Sequence, residues 1–311
     1  MLRIVRDGRN GGWKNAAASG PSTVTPLEAL AQWEEQLRRI GPNGDLATGF
    51  PEWDRLTRPR PFQYVIIAAR PGLFKTTWAL MTAVTLAGAG KRVLWLGTEM
   101  GSAMAMAWIL SRMSGSPFRQ VEKWISGGCS PSGPDTARLQ SARDKFDTLP
   151  LVLSSDEVLT LDGLVEATCK VNYDAVFLDY IGLVKAPGKT ASERIEAVSE
   201  TIRLIRKERR VHFVALAQMN REIEKPPNGK PRVPNLADLR GSGCLEADAD
   251  VVAFLHREPK VENKNEVQLR IEKNRFGPLG IVNLIAKPET KEIYEAVYEP
   301  DVPPPYQDGE G

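Results

Sequence analysis

Apolar residues along this chain follow two rhythms. Between Tyr64 and Ala286, short runs rich in Val, Ile, Leu and Phe alternate with longer segments in which apolar residues return every three or four positions. The runs predict strands at Tyr64–Ala69, Arg92–Gly97, Leu151–Ser154, Asp174–Tyr180, His212–Ala217, Asp250–His256, Val267–Glu272 and Gly280–Ala286. The segments between them predict helices over about 76–88, 101–114, 135–147, 160–170 and 192–209. Tyr64–Ala69 is apolar almost throughout, as in a parallel strand covered on both faces. The alternation predicts an α/β fold: a doubly wound, mostly parallel sheet with helices on both faces, closed by an antiparallel C-terminal extension.

The flanks read differently. Residues 1–24 are rich in Gly, Ser, Ala and Asn without periodicity, which predicts a flexible arm. Thr25-Pro26-Leu27-Glu28 then carries helix-start chemistry, with Thr as cap, Pro in the first turn and Glu three residues after the cap. That helix is expected to end near Ile40, before Gly41-Pro42, and its stripe of Leu27, Leu30, Leu37 and Ile40 must be buried against its own core or a neighbouring subunit. Pro226–Pro231 marks a long polar loop, and the proline-rich end past Pro300 an extended tail. The domain reading is an arm over 1–24, a linker helix over 25–45, a motor-sized domain over 46–290 and a tail over 291–311.

Composition narrows the chemistry. With 41 basic and 39 acidic residues the net charge of +2 does not by itself predict nucleic-acid binding, so local clusters must carry any such claim. The basic helix end at Arg203, Arg206, Lys207, Arg209 and Arg210 is such a cluster, to be read as a solvated face or as a contact. Three cysteines without CxxC spacing predict neither a zinc site nor disulfides, and two histidines leave little room for histidine-based metal or triad chemistry. The absence of a signal-like N-terminus or an apolar span predicts a soluble, cytoplasmic protein.

The candidate chemistry begins where Tyr64–Ala69 runs into Arg70-Pro71-Gly72-Leu73-Phe74-Lys75-Thr76-Thr77 and a helix. Backbone N–H groups of such a turn wrap phosphates, Lys75 reaches the β/γ-phosphates, the Thr76 hydroxyl holds Mg²⁺, and the helix dipole favours the anion. The usual glycines at both ends of the loop are Ala69 and Phe74 here. In a doubly wound sheet the ligand lies at the carboxyl ends of the strands, where Asp179, Glu99 and Gln218 also fall. Asp179 suits a second Mg²⁺-organising group or a turn. Glu99 suits the polarisation of an attacking water or the first turn of a helix. Gln218 suits sensing of a γ-phosphate or a satisfied buried amide.

Thr48-Gly49-Phe50 with Trp53–Leu56, the loop AARPGLFKTT, GTEM, FLDYIGLV, LAQMNREIE, ADLRGSGCLEADADVVAFLHRE and EKNRFGPLG together resemble the C-terminal motor domain of DnaB-type replicative helicases, over about three-quarters of the chain. The resemblance implies a RecA-like core, a six-membered homo-oligomeric ring and ATP-driven translocation on single-stranded DNA, with a helicase loader or a primase as candidate partners and no membrane. It implies ATP and Mg²⁺ as ligands, with Lys75 and Thr76 as the phosphate-loop pair. Glu99 falls on the catalytic glutamate, Asp179 on the Mg²⁺-side aspartate and Gln218 on the γ-phosphate sensor. It further implies that Lys273 and Arg275 enter the neighbour's ATP site. Arg240 and Gly243, with Gly241 where the family has an acidic residue, match a DNA-gripping loop, and Arg221 and Lys225 are further DNA candidates. Only about sixty residues precede the phosphate loop, too few for the family's N-terminal collar. Two other readings stand beside this one: a nucleotide-gated DNA-binding or assembly factor with weak or no hydrolysis, and a filament-forming recombinase.

Overall fold

A computed structural model describes residues 3–6, 13–16, 25–40, 46–128, 133–154, 158–219, 233–239, 242–258 and 263–296. Strands β1 (Arg3–Arg6) and β2 (Trp13–Ala16) pair antiparallel within the segment expected to be an arm. They are followed by helices α1 (Pro26–Ile40) and α2 (Pro51–Thr57), then β3 (Tyr64–Ala69), α3 (Lys75–Gly88), β4 (Val93–Gly97), α4 (Ser102–Ser114), α5 (Phe118–Ile125), α6 (Pro134–Asp147), β5 (Leu151–Leu153) and α7 (Leu161–Cys169). The second half contributes β6 (Ala175–Asp179), α8 (Ala191–Arg209), β7 (His212–Gln218), α9 (Ser242–Asp248), β8 (Val251–His256), β9 (Glu266–Asn274), β10 (Gly280–Lys287) and β11 (Glu292–Glu295).

The main sheet has the order β11-β10-β9-β8-β3-β7-β6-β4-β5. The strands from β8 to β5 are parallel, while β9, β10 and β11 continue the sheet antiparallel. This is the RecA-like doubly wound arrangement with an antiparallel C-terminal extension. β3 shows why its run has no polar alternation: Val65, Ile67 and Ala69 enter one core with Trp78, Ala79 and Leu86 of α3. Tyr64, Ile66 and Ala68 enter another with Val198, Ile202 and Ile205 of α8. At roughly 25 cal/mol per Å² of apolar surface removed from water, these two cores are what holds the sheet between its helices.

The expected elements shift by one or two residues, but β1, β2, α2, α5, α9 and β11 are additions. α2 is too short for a periodic signal, and it is held by tertiary contacts. Phe50 stacks on Trp78 at 5.6 Å and Trp53 meets the same ring edge-on at 5.3 Å. Asp54 accepts from the Thr48 backbone N–H at 2.9 Å and the Thr48 hydroxyl at 2.6 Å. Burial raises the Asp54 pKa to about 6 despite those bonds. β11 lies within the segment expected to be tail, and Glu295 of this strand accepts from the backbone N–H groups of Glu52 and Trp53 at the start of α2.

His212 is buried with Nδ1 3.1 Å from the Arg60 carbonyl, and burial lowers its pKa to about 4, so it sits in the core as a neutral ring. In α1, Leu27 and Leu30 are 76% and 51% exposed, so none of the described residues covers them. Among the described residues, no helix is long and apolar enough to cross a membrane.

Candidate active site

Register brings the candidate residues together. Ala69, which ends β3, pairs with Gln218, which ends β7, and Gly97, which ends β4, pairs with Asp179, which ends β6. Parallel strands in register end on one edge, and α3 starts there with its first N–H groups facing the same space. A cavity of about 320 Å³ opens at this edge, lined by Ala69–Thr77 together with Glu99, Gln218, Trp108, Lys287, Pro288, Lys291 and Glu292. That is the lower end of the roughly 300–1,000 Å³ usual for small-molecule sites.

Beside it, the hydroxyl of the lining residue Thr76 donates to Asp179 Oδ2 at 2.6 Å. Lys75 Nζ lies 3.5 Å from Asp179 Oδ1, 4.0 Å from Glu99 Oε2 and 4.7 Å from the centre of the Tyr180 ring. Asp179 is 1% exposed, and its Oδ1 receives no hydrogen bond from the described residues. A buried carboxylate whose Oδ1 is paired with Lys75 but accepts no hydrogen bond, beside a hydroxyl, offers the hard oxygen donors that Mg²⁺ takes, which usually engages one or two carboxylates and completes its shell with phosphate and water. Lys75 and the backbone of the loop supply the cationic, N–H-rich surface that phosphates require. The residues present therefore fit Mg²⁺ and a nucleoside triphosphate.

Thr98 and Tyr180 were not singled out in the sequence. The Thr98 hydroxyl donates to the Asp179 carbonyl at 2.8 Å and accepts from the Tyr180 N–H at 3.0 Å. The backbone N–H groups of Thr98 and Glu99 also donate to the Asp179 carbonyl, at 2.7 and 3.1 Å. Thr98 thus ties the β4 end to the β6 end and sets the spacing of Glu99 from Asp179. Its place in the GTEM segment, next to Glu99, is the signal the sequence carries for it. The wall made by Trp108 and the β10–β11 turn has no local signal, because tertiary packing brings it to the loop.

Phe74 adopts the left-handed conformation, with φ 60° and ψ 19°, that a glycine would take there. A bulky residue here is expected to turn outward, leaving the N–H groups in place, or to distort the cradle; the helix start stays in place, but the ring packs against the core. The side chain is half-buried against the core while still lining the cavity, and the Phe74 carbonyl accepts the Trp78 N–H at 2.9 Å, so the helix start is intact. The left-handed backbone costs about 1–2 kcal/mol for a residue with a side chain, and half-burial of the ring returns about 1–1.5 kcal/mol. Phe74→Gly is therefore expected to change stability by less than about 1 kcal/mol and turnover by no more than about tenfold. Thermal unfolding and steady-state turnover check this, and a larger gain in turnover would show that the ring obstructs the site.

Lys273 and Arg275 lie elsewhere. Lys273 pairs with Val252 near the start of β8, and the Arg275 N–H donates to the Asp250 carbonyl just before that strand. They occupy the amino edge of the sheet, about 17 Å from the phosphate loop along the six residues of β3. The structure does not bring them to the cavity of their own chain. Gly243 is exposed in α9, whereas Arg221, Lys225, Arg240 and Gly241 lie outside the described residues.

Comparison with known proteins gives a consistent picture. A family model described as the DnaB-like helicase C terminal domain matches residues 45–295. The replicative DNA helicase DnaB of Leifsonia xyli subsp. xyli is 32% identical over 280 residues, covering 85% of this chain and 59% of that protein. Its counterpart in Treponema pallidum is 32% identical over 273 residues, covering 85% and 58%. The chain thus spans about three-fifths of the length of these relatives. A DnaB-like replicative helicase, solved in a study of its interactions with primase, superposes with a TM-score of 0.75 at 25% identity over 90% of this chain and 68% of that one. A solved ATPase domain matches in fold, with a TM-score of 0.78 at 24% identity over 88% of this chain and all of that one.

Proposed function

Because this chain belongs to the DnaB-like helicase C-terminal domain family, we propose that it is an ATP-hydrolysing DNA helicase motor that assembles as a six-membered ring and translocates on single-stranded DNA during replication. The observation that carries the reading is the convergence of Lys75, Thr76, Asp179 and Glu99 at one sheet edge, with Thr76 and Asp179 2.6 Å apart. Lys75 and the loop N–H groups bind the phosphates and neutralise them. Thr76 and Asp179 hold Mg²⁺, which when bound supplies charge neutralisation across the phosphate oxygens. Glu99 orients the attacking water and accepts its proton, and Gln218 contacts the γ-phosphate side of the cavity. Lys273 and Arg275 serve the site of the adjacent subunit, a role their position at the opposite edge of the sheet supports.

DNA contacts are assigned to Arg240, Gly241 and Gly243, with Arg221 and Lys225. Met219, next to Gln218, forms a backbone bridge with Leu239, next to Arg240, which supports a link between nucleotide and DNA sites. The exposed Leu27 and Leu30 of α1 are assigned to a neighbouring subunit. A primase or loader is the further partner class, in a cytoplasmic setting.

The test is ATP turnover by the wild-type chain with and without single-stranded DNA, alongside particle mass. Stimulated turnover by a six-chain particle is the expected result. Salt-sensitive, ATP-gated DNA binding without turnover would favour the binding-factor reading, and filaments under the electron microscope the recombinase reading.

A further inference from the structure

Asp250 lies just before β8, is 2% exposed, and gathers donors from three elements. Its Oδ2 accepts from the Tyr64 backbone N–H at 2.9 Å and from Arg206 Nη1 at 2.6 Å. Its Oδ1 accepts from Arg275 Nη1 at 3.3 Å, and its carbonyl from the Arg275 N–H at 2.9 Å. Arg275 Nη2 donates to the Ala247 carbonyl at 2.6 Å, and Lys273 Nζ donates to the Glu246 carbonyl, both acceptors lying in the last turn of α9. The Arg275 side chain remains 45% exposed. A guanidinium carries five N–H donors in a rigid fork. One N–H of each Nη is engaged here, which leaves the rest of the fork to face outward from a fixed base.

We infer that Asp250 is a positioning residue for Arg275, holding one side of its guanidinium so that the other side is presented to the nucleotide of the adjacent subunit. The inference rests on the proposal that Arg275 acts in trans. Without this anchor, an exposed arginine loses rotamer entropy each time it engages a phosphate. The anchor takes up that cost during folding.

The chemistry of the anchor makes Asp250→Asn a selective probe. Two donors face Oδ2 and one faces Oδ1, so the single amide oxygen of Asn stays on the Tyr64 and Arg206 side. Its NH₂ then faces Arg275 and cannot accept. The substitution removes the hold of residue 250 on the Arg275 guanidinium, which keeps its bond to the Ala247 carbonyl, and leaves the bonds to Tyr64 and Arg206 in place. Arg275→Lys probes the same point from the other side, because an ammonium without a fork cannot be held by Asp250 and presented outward in fixed geometry at once.

Asp250→Asn should lower turnover at saturating ATP roughly 10- to 100-fold with KM for ATP within about twofold. In an Arg275→Ala background it should have no further effect on turnover. A nucleotide-free thermal-unfolding cycle over the same variants should show coupling between the two residues. Arg275→Lys, at an exposed position, should fold normally and turn over nearly as slowly as Arg275→Ala. If Asp250→Asn turns over normally, or its loss adds fully to that of Arg275→Ala, the positioning role is overturned while the trans role of Arg275 stands. If Arg275→Ala alone leaves turnover unchanged, the trans reading itself fails. Should Asp250→Asn not fold, Arg275→Lys decides, and full turnover by that variant overturns the inference.

Discussion

Substituting Lys75 by alanine is expected to abolish both the ATP-dependent rise in melting temperature and all measurable turnover. Lys75 is the cation at the mouth of α3, and its Nζ sits between Asp179 and Glu99 at 3.5 and 4.0 Å. Without it, no cation stands between Asp179 and Glu99, and only the loop N–H groups and the other cations of the cavity wall, Arg70, Lys287 and Lys291, offset the repulsion of a triphosphate by the two carboxylates. For a wild-type protein with ATP at 100 times its Kd, binding contributes about 2.7 kcal/mol to stability, and the variant should show none of it. The nucleotide-free variant should also melt lower, because buried Asp179 loses its ion-pair partner and keeps only the Thr76 hydroxyl. The informative quantity is therefore the difference between scans with and without Mg²⁺-ATP. An unchanged difference would remove the phosphate-loop assignment.

Arg275→Ala should behave in the opposite way, with ATP affinity nearly intact and turnover lowered by about 10³-fold or more. A cation supplied in trans acts on charge that develops in the transition state, and such groups contribute roughly 10³–10⁵ in rate. Within its own chain Arg275 sits at the amino edge of the sheet on Asp250 and Ala247, so its removal leaves the cavity walls untouched. Titration of a fluorescent ATP analogue against steady-state turnover separates binding from rate. A variant with parallel losses in both would point to a structural role at the amino edge.

How much of this was readable beforehand depended on range. The apolar run of β3 and the loop after it are local signals, and strand ends in register deliver Asp179, Glu99 and Gln218 to the loop as parallel pairing requires. At Phe74 the sequence shows the missing glycine but not the core edge that accepts the ring. β11 was hidden because four residues ending in charge carry no pattern, and antiparallel pairing with β10 makes them a strand. Asp250 reads as one acidic residue in EADAD; its four acceptor contacts come from residues 25 to 186 positions away, which no local reading reaches. The same holds for Trp108 and Lys291, whose side chains meet at 4.5 Å beside the cavity.

On the proposed reading the ATP site is shared between subunits, with Glu99 from one and Arg275 from the next. Turnover by a mixture of Arg275→Ala and Glu99→Gln chains tests it most directly, since each parent alone lacks one half of every site. Random mixing in a head-to-tail ring places an intact Glu99 opposite an intact Arg275 at about a quarter of the interfaces. Turnover in the mixture should lie well above the sum of the two parents. Turnover no higher than that sum, or full activity from an isolated wild-type monomer, would contradict it.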